Sequence, residues 1–202
     1  MNRIRLPLFL ALCAAQLAIP LAMAYRYERT LRQGTVYRFH TEPVDPVDAF
    51  RGRYVAIRLR LVAPPQAASD DRWGTPFYVG LGRDGQGYAT VRALSKEQPA
   101  KGDWLQGTLG EDVYAEWRPQ HAEDTAPERP PLLGTRVELP LDRYYMEESK
   151  APQAELTTRR FGAEGPQMDV TARVRVRHGL GAIEGLEVNG VPIERWLATV
   201  PP

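Results

Sequence analysis

From Leu6 to Tyr25 the chain carries no charged side chain, and nearly every position is apolar. A helix rises about 1.5 Å per residue, so a run of this length spans the ~30 Å hydrocarbon core of a bilayer. The pattern predicts a membrane helix. Pro7 falls in its first turn, where a missing N–H costs little, and Pro20 predicts a kink near its far end. Tyr25 and Tyr27 with Arg26, Arg29 and Arg32 suit an interfacial belt with snorkelling cations. A cleaved signal peptide is the competing reading, because Ala22-Met23-Ala24 fits the small-x-small cleavage pattern. The apolar run is longer than the roughly 7–15 residues of a signal core, which favours a signal-anchor. Either reading exports the remainder of the chain. Arg3 and Arg5 nearly balance the arginines at the other end, so loop charge alone leaves orientation close to a tie. Exporting the main domain and keeping the short N-terminal tail in the cytoplasm is the simpler route. It predicts a single-pass protein of the inner (cell) membrane with its domain in the periplasm.

Beyond this segment the apolar positions change period. Gly34 to Thr41 predicts a first strand that ends in a turn at Pro43. Asp45 to Gly52 predicts a turn and one short helical turn. From Tyr54 to Val62, Ile57, Leu59 and Leu61 alternate with Ala56, Arg58 and Arg60, the period of two expected of a strand with one buried face. Pro64 to Gly74 predicts a loop. Phe77 to Leu81 and Gly87 to Val91 form a hairpin signal around Asp84-Gly85. Trp104 to Leu109 and Val113 to Trp117 are expected to be two further strands, and residues 119–131 an exposed loop rich in Pro, Glu and Asp. Leu133 to Leu139 predicts a strand and Asp142 to Glu148 a short helix. Val170, Ala172, Val174 and Val176 alternate with Thr171, Arg173, Arg175 and Arg177, a second half-buried strand. Asn189-Gly190 between Val188 and Val191 predicts a type I′ hairpin turn. The fold class expected is mainly β: residues 1–33 as an anchor and juxtamembrane segment, then residues 34–202 as one soluble antiparallel barrel or sandwich with one or two short helices.

Composition narrows the chemistry. A formal net charge of +1 provides no bulk attraction to nucleic acid, and no nucleic-acid partner is expected. The single cysteine, Cys13, lies in the apolar run, so an intrachain disulfide is excluded. Leu10-Ala11-Leu12-Cys13 departs from a lipoprotein box at the large Leu12. Ser69, Ser95 and Ser149 lie in no nucleophile motif, and His40, His121 and His178 lack metal-ligand spacing. No catalytic residue, metal or cofactor is assigned. Asp45, Asp48, Arg51 and Tyr54 form the densest polar cluster. They would line a ligand or partner pocket, or else hold the turn together: Asp45 accepting its N–H groups, Asp48 capping, Arg51 pairing with either. Glu147 and Glu148 are adjacent and diverge on a helix, although either is free to meet Arg51 in space. Arg173, Arg175 and Arg177, joined by Arg58 and Arg60, would attract anionic headgroups or form an ordinary solvated strand face.

The run Glu42-Pro43-Val44-Asp45-Pro46-Val47-Asp48-Ala49-Phe50-Arg51-Gly52-Arg53-Tyr54-Val55-Ala56-Ile57-Arg58-Leu59 resembles the signature of the GDYXXLXY-domain family. Further pieces agree: Tyr78-Val79-Gly80-Leu81 before Asp84-Gly85, Lys101-Gly102-Asp103, Arg143-Tyr144-Tyr145-Met146-Glu147-Glu148 and Glu187-Val188-Asn189-Gly190. Gly52, Tyr54 and, approximately, Ile57 keep the defining motif, whereas Arg53 replaces its acidic residue and Leu59 its final tyrosine. The resemblance implies a bacterial protein with an N-terminal hydrophobic segment; the polar cluster and the motif pieces together give Asp45, Asp48, Arg51, Gly52, Tyr54, Tyr145 and Glu147 as motif or binding candidates. It supplies no reaction. The function expected is a membrane-tethered, envelope-facing accessory module that partners an integral membrane protein. The alternatives are a hydrolase-like envelope enzyme, using Asp45, Asp48 or a Ser/Lys pair, and a small-ligand sensor using the segment from Pro43 to Tyr54.

Overall fold

The computed structural model describes residues 5–42, 54–65, 75–115, 130–145 and 169–199. Helix α1 (Arg5–Gln33) is continuous through Pro20 and is the one helix among the described residues long and apolar enough to cross a membrane. Leu8, Phe9, Leu12, Leu17, Ile19 and Leu21 all lie exposed along it, with no protein surface to cover them. Its last turns behave differently. Thr30 is buried against β10 and β11 (Val170–Arg177 and Leu180–Val188), and its hydroxyl returns a bond to Arg26 O.

Gly34 alone separates the helix from β1 (Thr35–Glu42). Its N–H still bonds Thr30 O at 2.8 Å, and a Cβ there would stand 2.5 Å from that oxygen and 3.1 Å from Val176 N. Only glycine lets helix and strand approach this closely.

The next strands are β2 (Tyr54–Ala56), β3 (Arg58–Leu59), β4 (Val62–Ala63), β5 (Pro76–Arg83), β6 (Ala89–Ser95), β7 (Trp104–Tyr114), β8 (Leu132–Glu138) and β9 (Arg143–Tyr145). After β10 and β11 come β12 (Val191–Pro192) and a short helix α2 (Ile193–Leu197). One five-stranded antiparallel sheet runs β12-β11-β10-β1-β3, a second runs β4-β8-β7-β5-β6, and β2 and β9 form a two-stranded ribbon. The sheets are not closed into a barrel. A single buried cluster joins them, with Phe39, Val174, Leu186 and Val188 from the first and Phe77, Val79, Leu105 and Val137 from the second.

The alternation after Tyr54 reports burial correctly: Ile57, Leu59 and Leu61 are buried, and Arg58 and Arg60 exposed. It does not form one strand. β2 pairs with β9, β3 with β1 and β4 with β8, so this stretch crosses from sheet to sheet while keeping one face inward. Period two fixes which side faces the core and is silent about the partner. The short helix expected from Asp142 is instead extended over Arg143–Tyr145, because β2 offers it a ladder. The two strands expected around Gly110 are one long β7, irregular in register between Leu109 and Asp112. The Asn189-Gly190 turn is as expected, with φ of 50° and 79°.

Candidate functional site

Of the seven motif candidates, Asp45, Asp48, Arg51, Gly52 and Glu147 lie outside the described residues. Tyr54 and Tyr145 are placed, and they pair directly: Tyr54 stands opposite Tyr145, Val55 opposite Tyr144 and Ala56 opposite Arg143. Two stretches of the chain 91 positions apart, both parts of the sequence signature, therefore lie side by side. Tyr145 is 70% exposed. Tyr144 is tied inward, its hydroxyl donating to Glu194 Oε1 of α2 at 2.8 Å, and Ile57 N–H donates to Asp142 O at 2.9 Å. Burial, then the Glu194 hydrogen bond and charge, push the Tyr144 phenol well above its usual value, so it remains a donor at any physiological pH.

A second polar cluster lies elsewhere, where the two sheets meet. His40 on β1 bonds Asp169 Oδ1 through Nδ1 at 2.8 Å, and the Tyr88 hydroxyl donates to Asp169 Oδ2 at 2.9 Å. The His40 and Tyr88 rings stack with centroids 3.9 Å apart, and the Arg38 guanidinium lies 4.9 Å from the Tyr88 ring centre. Asp169 is held from behind by Asn189: Asn189 N–H donates to Asp169 O at 2.9 Å, and Asp169 N–H to Asn189 Oδ1 at 3.0 Å. Burial raises the Asp169 carboxyl, but the hydrogen bonds from His40 and Tyr88 and the charges of His40 and Arg38 outweigh it, leaving it below the usual value. An ionised carboxylate only accepts, so His40 Nδ1 carries the proton. The trio pins the β5–β6 hairpin of one sheet onto β1 and β10 of the other. A histidine oriented by a carboxylate is what a general base requires, yet the hydroxyl at hand, Tyr88, is committed to that same carboxylate. Sequence reasoning missed this cluster because His40 and Asp169 are 129 positions apart. No motif or spacing links them; the β1–β10 pairing, which sets His40 opposite Thr171, is what brings them together.

The arginine stripe divides. Arg173 reaches Glu184 Oε2 at 3.0 Å and Glu187 Oε1 at 3.4 Å, Arg175 reaches Glu184 Oε1 at 2.9 Å, and Arg38 pairs with Glu187 at 3.4 Å. Burial raises Glu184, but bonds and charges from Arg175 and Arg173 prevail and hold its carboxyl below the usual range. These arginines are spent on their own sheet. Ser95 is likewise engaged, its hydroxyl accepting Glu97 N–H at 3.0 Å, while Ser149 lies outside the described residues. Among the described residues no group of three His, Cys, Asp or Glu side chains is placed to hold a metal ion.

No curated protein and no solved structure matches the chain. The family model described as GDYXXLXY protein matches residues 16–186, from inside α1 to Leu186 of β11. That span takes in the second half of the apolar helix, the second sheet, the first sheet up to Leu186 of β11 and the β2–β9 pairing, and the chain belongs to the GDYXXLXY protein family.

Proposed function

We propose that the chain is a membrane-tethered accessory module whose β domain faces the envelope and partners an integral membrane protein. The observation behind this reading is α1 itself. Its first twenty or so residues are apolar and bare on every side, while its last turns dock on β10 and β11 and enter β1 through Gly34. A helix built into its domain in this way serves as a stem, and cleavage after Ala24 would cut it mid-helix. Crosslinking with mass spectrometry on native membranes tests both parts. Peptides spanning Ala24 joined to one recurrent membrane protein are expected. A mature chain beginning at Tyr25 with no partner would overturn the reading.

A small-ligand sensor is the second reading, favoured by the β2–β9 pairing, which brings Tyr54 and Tyr145 from two signature stretches to one place. Tyr145→Ala would then weaken ligand-induced stabilisation by envelope metabolites without lowering the melting temperature. Under the accessory reading the same variant weakens the crosslink to the membrane partner.

A further inference from the structure

A cavity of about 460 Å³ opens where α1 meets the domain. Gln33 at the helix end forms one side, the loop from Gln98 to Asp103 a second, and Arg177 and His178 a third, with Trp104 beside them. Arg177 ends the stripe whose earlier members are neutralised. Its cross-strand partner is Leu180, Glu184 is taken by Arg173 and Arg175, and among the described residues no ion pair engages Arg177 or Lys101. The one acidic residue of the lining, Asp103, is turned to Tyr37, whose hydroxyl donates to its Oδ2 at 3.1 Å. Burial and the Asp103 charge push the Tyr37 phenol up to about 12, so that donation persists at neutral pH.

The walls are held in place. Arg177 and Leu180 close a turn through His178 and Gly179, with φ of 48° and 76°, and a Cβ on Gly179 would penetrate the Trp104 ring. Trp104 in turn packs edge-on against Tyr78, with centroids 5.1 Å apart. Two unpaired cations, an imidazole and two amides thus surround a preformed space in which only one carboxylate is present and already bonded.

We infer that this cavity binds a phosphate group, with Lys101 and Arg177 as its charged contacts. Its place at the helix end points to a lipid headgroup, a source that rests on the tethered reading. At ~1.5 Å per residue Gln33 stands ~12 Å beyond Tyr25, whereas the headgroup layer is about 5–8 Å thick on each side. An upright helix holds the cavity about 4–7 Å outside that layer, and the tilt usual for membrane helices lowers it toward the headgroups, where basic pockets take anionic lipids.

Native mass spectrometry of the detergent-solubilised full chain tests this with phosphatidylglycerol, phosphatidylcholine and soluble glycerol 1-phosphate as probes. Phosphatidylglycerol is expected to be retained over phosphatidylcholine by about tenfold. Lys101→Gln with Arg177→Gln removes that preference at unchanged melting temperature, whereas Arg173→Gln leaves it intact. Retention of glycerol 1-phosphate with the same dependence, without a lipid preference, would support the phosphate site and assign it to a soluble ligand. If the helix proved to be cleaved, the tethered reading would fail while that soluble arm still reported on the cavity. A preference that survives the double variant, or no retention of phosphatidylglycerol or glycerol 1-phosphate above phosphatidylcholine, whose phosphate is balanced by its own ammonium group, would overturn the inference.

Discussion

The turns at His178-Gly179 and Asn189-Gly190 share one backbone geometry, two successive residues at positive φ joining antiparallel strands, and differ in what holds them there. At Gly190 an added Cβ meets nothing within 4 Å; at Gly179 it meets the Trp104 ring. The Asn-Gly turn is written in its own two residues, because asparagine tolerates the left-handed region and glycine adopts it freely; the Asn189 side chain then adds a bond from Asp169 N–H at 3.0 Å. The His-Gly turn depends on the opposite sheet: Trp104 closes over it, and Leu105 bridges to Gly179. Nearly equal φ angles thus arise once from sequence and once from packing.

The sharpest test of this difference is a pair of glycine substitutions. Gly179→Ala is expected to lose about 2–5 kcal/mol, the left-handed penalty plus overpacking against Trp104. Gly190→Ala should lose only the first part, about 1–2 kcal/mol. Urea denaturation of both variants checks this, and equal losses would erase the distinction.

Asn189→Ala comes next, at about 1–2 kcal/mol, since it removes both the tolerance for positive φ and the bond to Asp169. Acid offers a subtler probe of the same end of β10. The folded-state pKa of Asp169 is depressed, so its contribution is present above the unfolded value of about 4 and disappears as pH falls through the lower folded value. Thermal melts from pH 5 to pH 2 should therefore show a shallower acid decline for Asp169→Asn than for the native chain, and a parallel decline would contradict the hydrogen-bonding account. Least of all, His178→Asn is expected to gain a few tenths of a kcal/mol, since both residues tolerate the left-handed region. A loss above about 1 kcal/mol would show that the imidazole makes a packing contribution of its own.

The same division governs how much of the molecule its sequence discloses. Local devices are legible: the Asp84-Gly85 turn, where Asp84 Oδ1 takes the N–H groups of Gln86 and Tyr88, the Asn189-Gly190 turn, and the alternation that buries Val170, Ala172, Val174 and Val176. Pairing is not. Ile57, Leu59 and Leu61 show which face is inward, but the division of that stretch among three partners depends on where β9, β1 and β8 arrive. Arg143–Tyr145 has helix-compatible residues, and the β2 ladder overrides them. The candidate site divides in the same way. Tyr54 and Tyr145 carry separate signals in the sequence and are paired in the fold, whereas His40, Tyr88 and Asp169 give no periodic or motif signal because three distant elements bring them together.

The single residue between α1 and β1 has a mechanical consequence. A flexible linker of n residues lets a domain wander over roughly 5–6 Å × √n, and at this junction almost none of that slack exists. Gly34 is walled by Thr30 O and Val176 N, so the helix and the first sheet turn together. Rotation of the stem about its own axis becomes a swing of the whole β face, and tilt of the stem becomes tilt of the domain. Lengthening this junction by a few flexible residues would leave every strand contact in place and remove the torque.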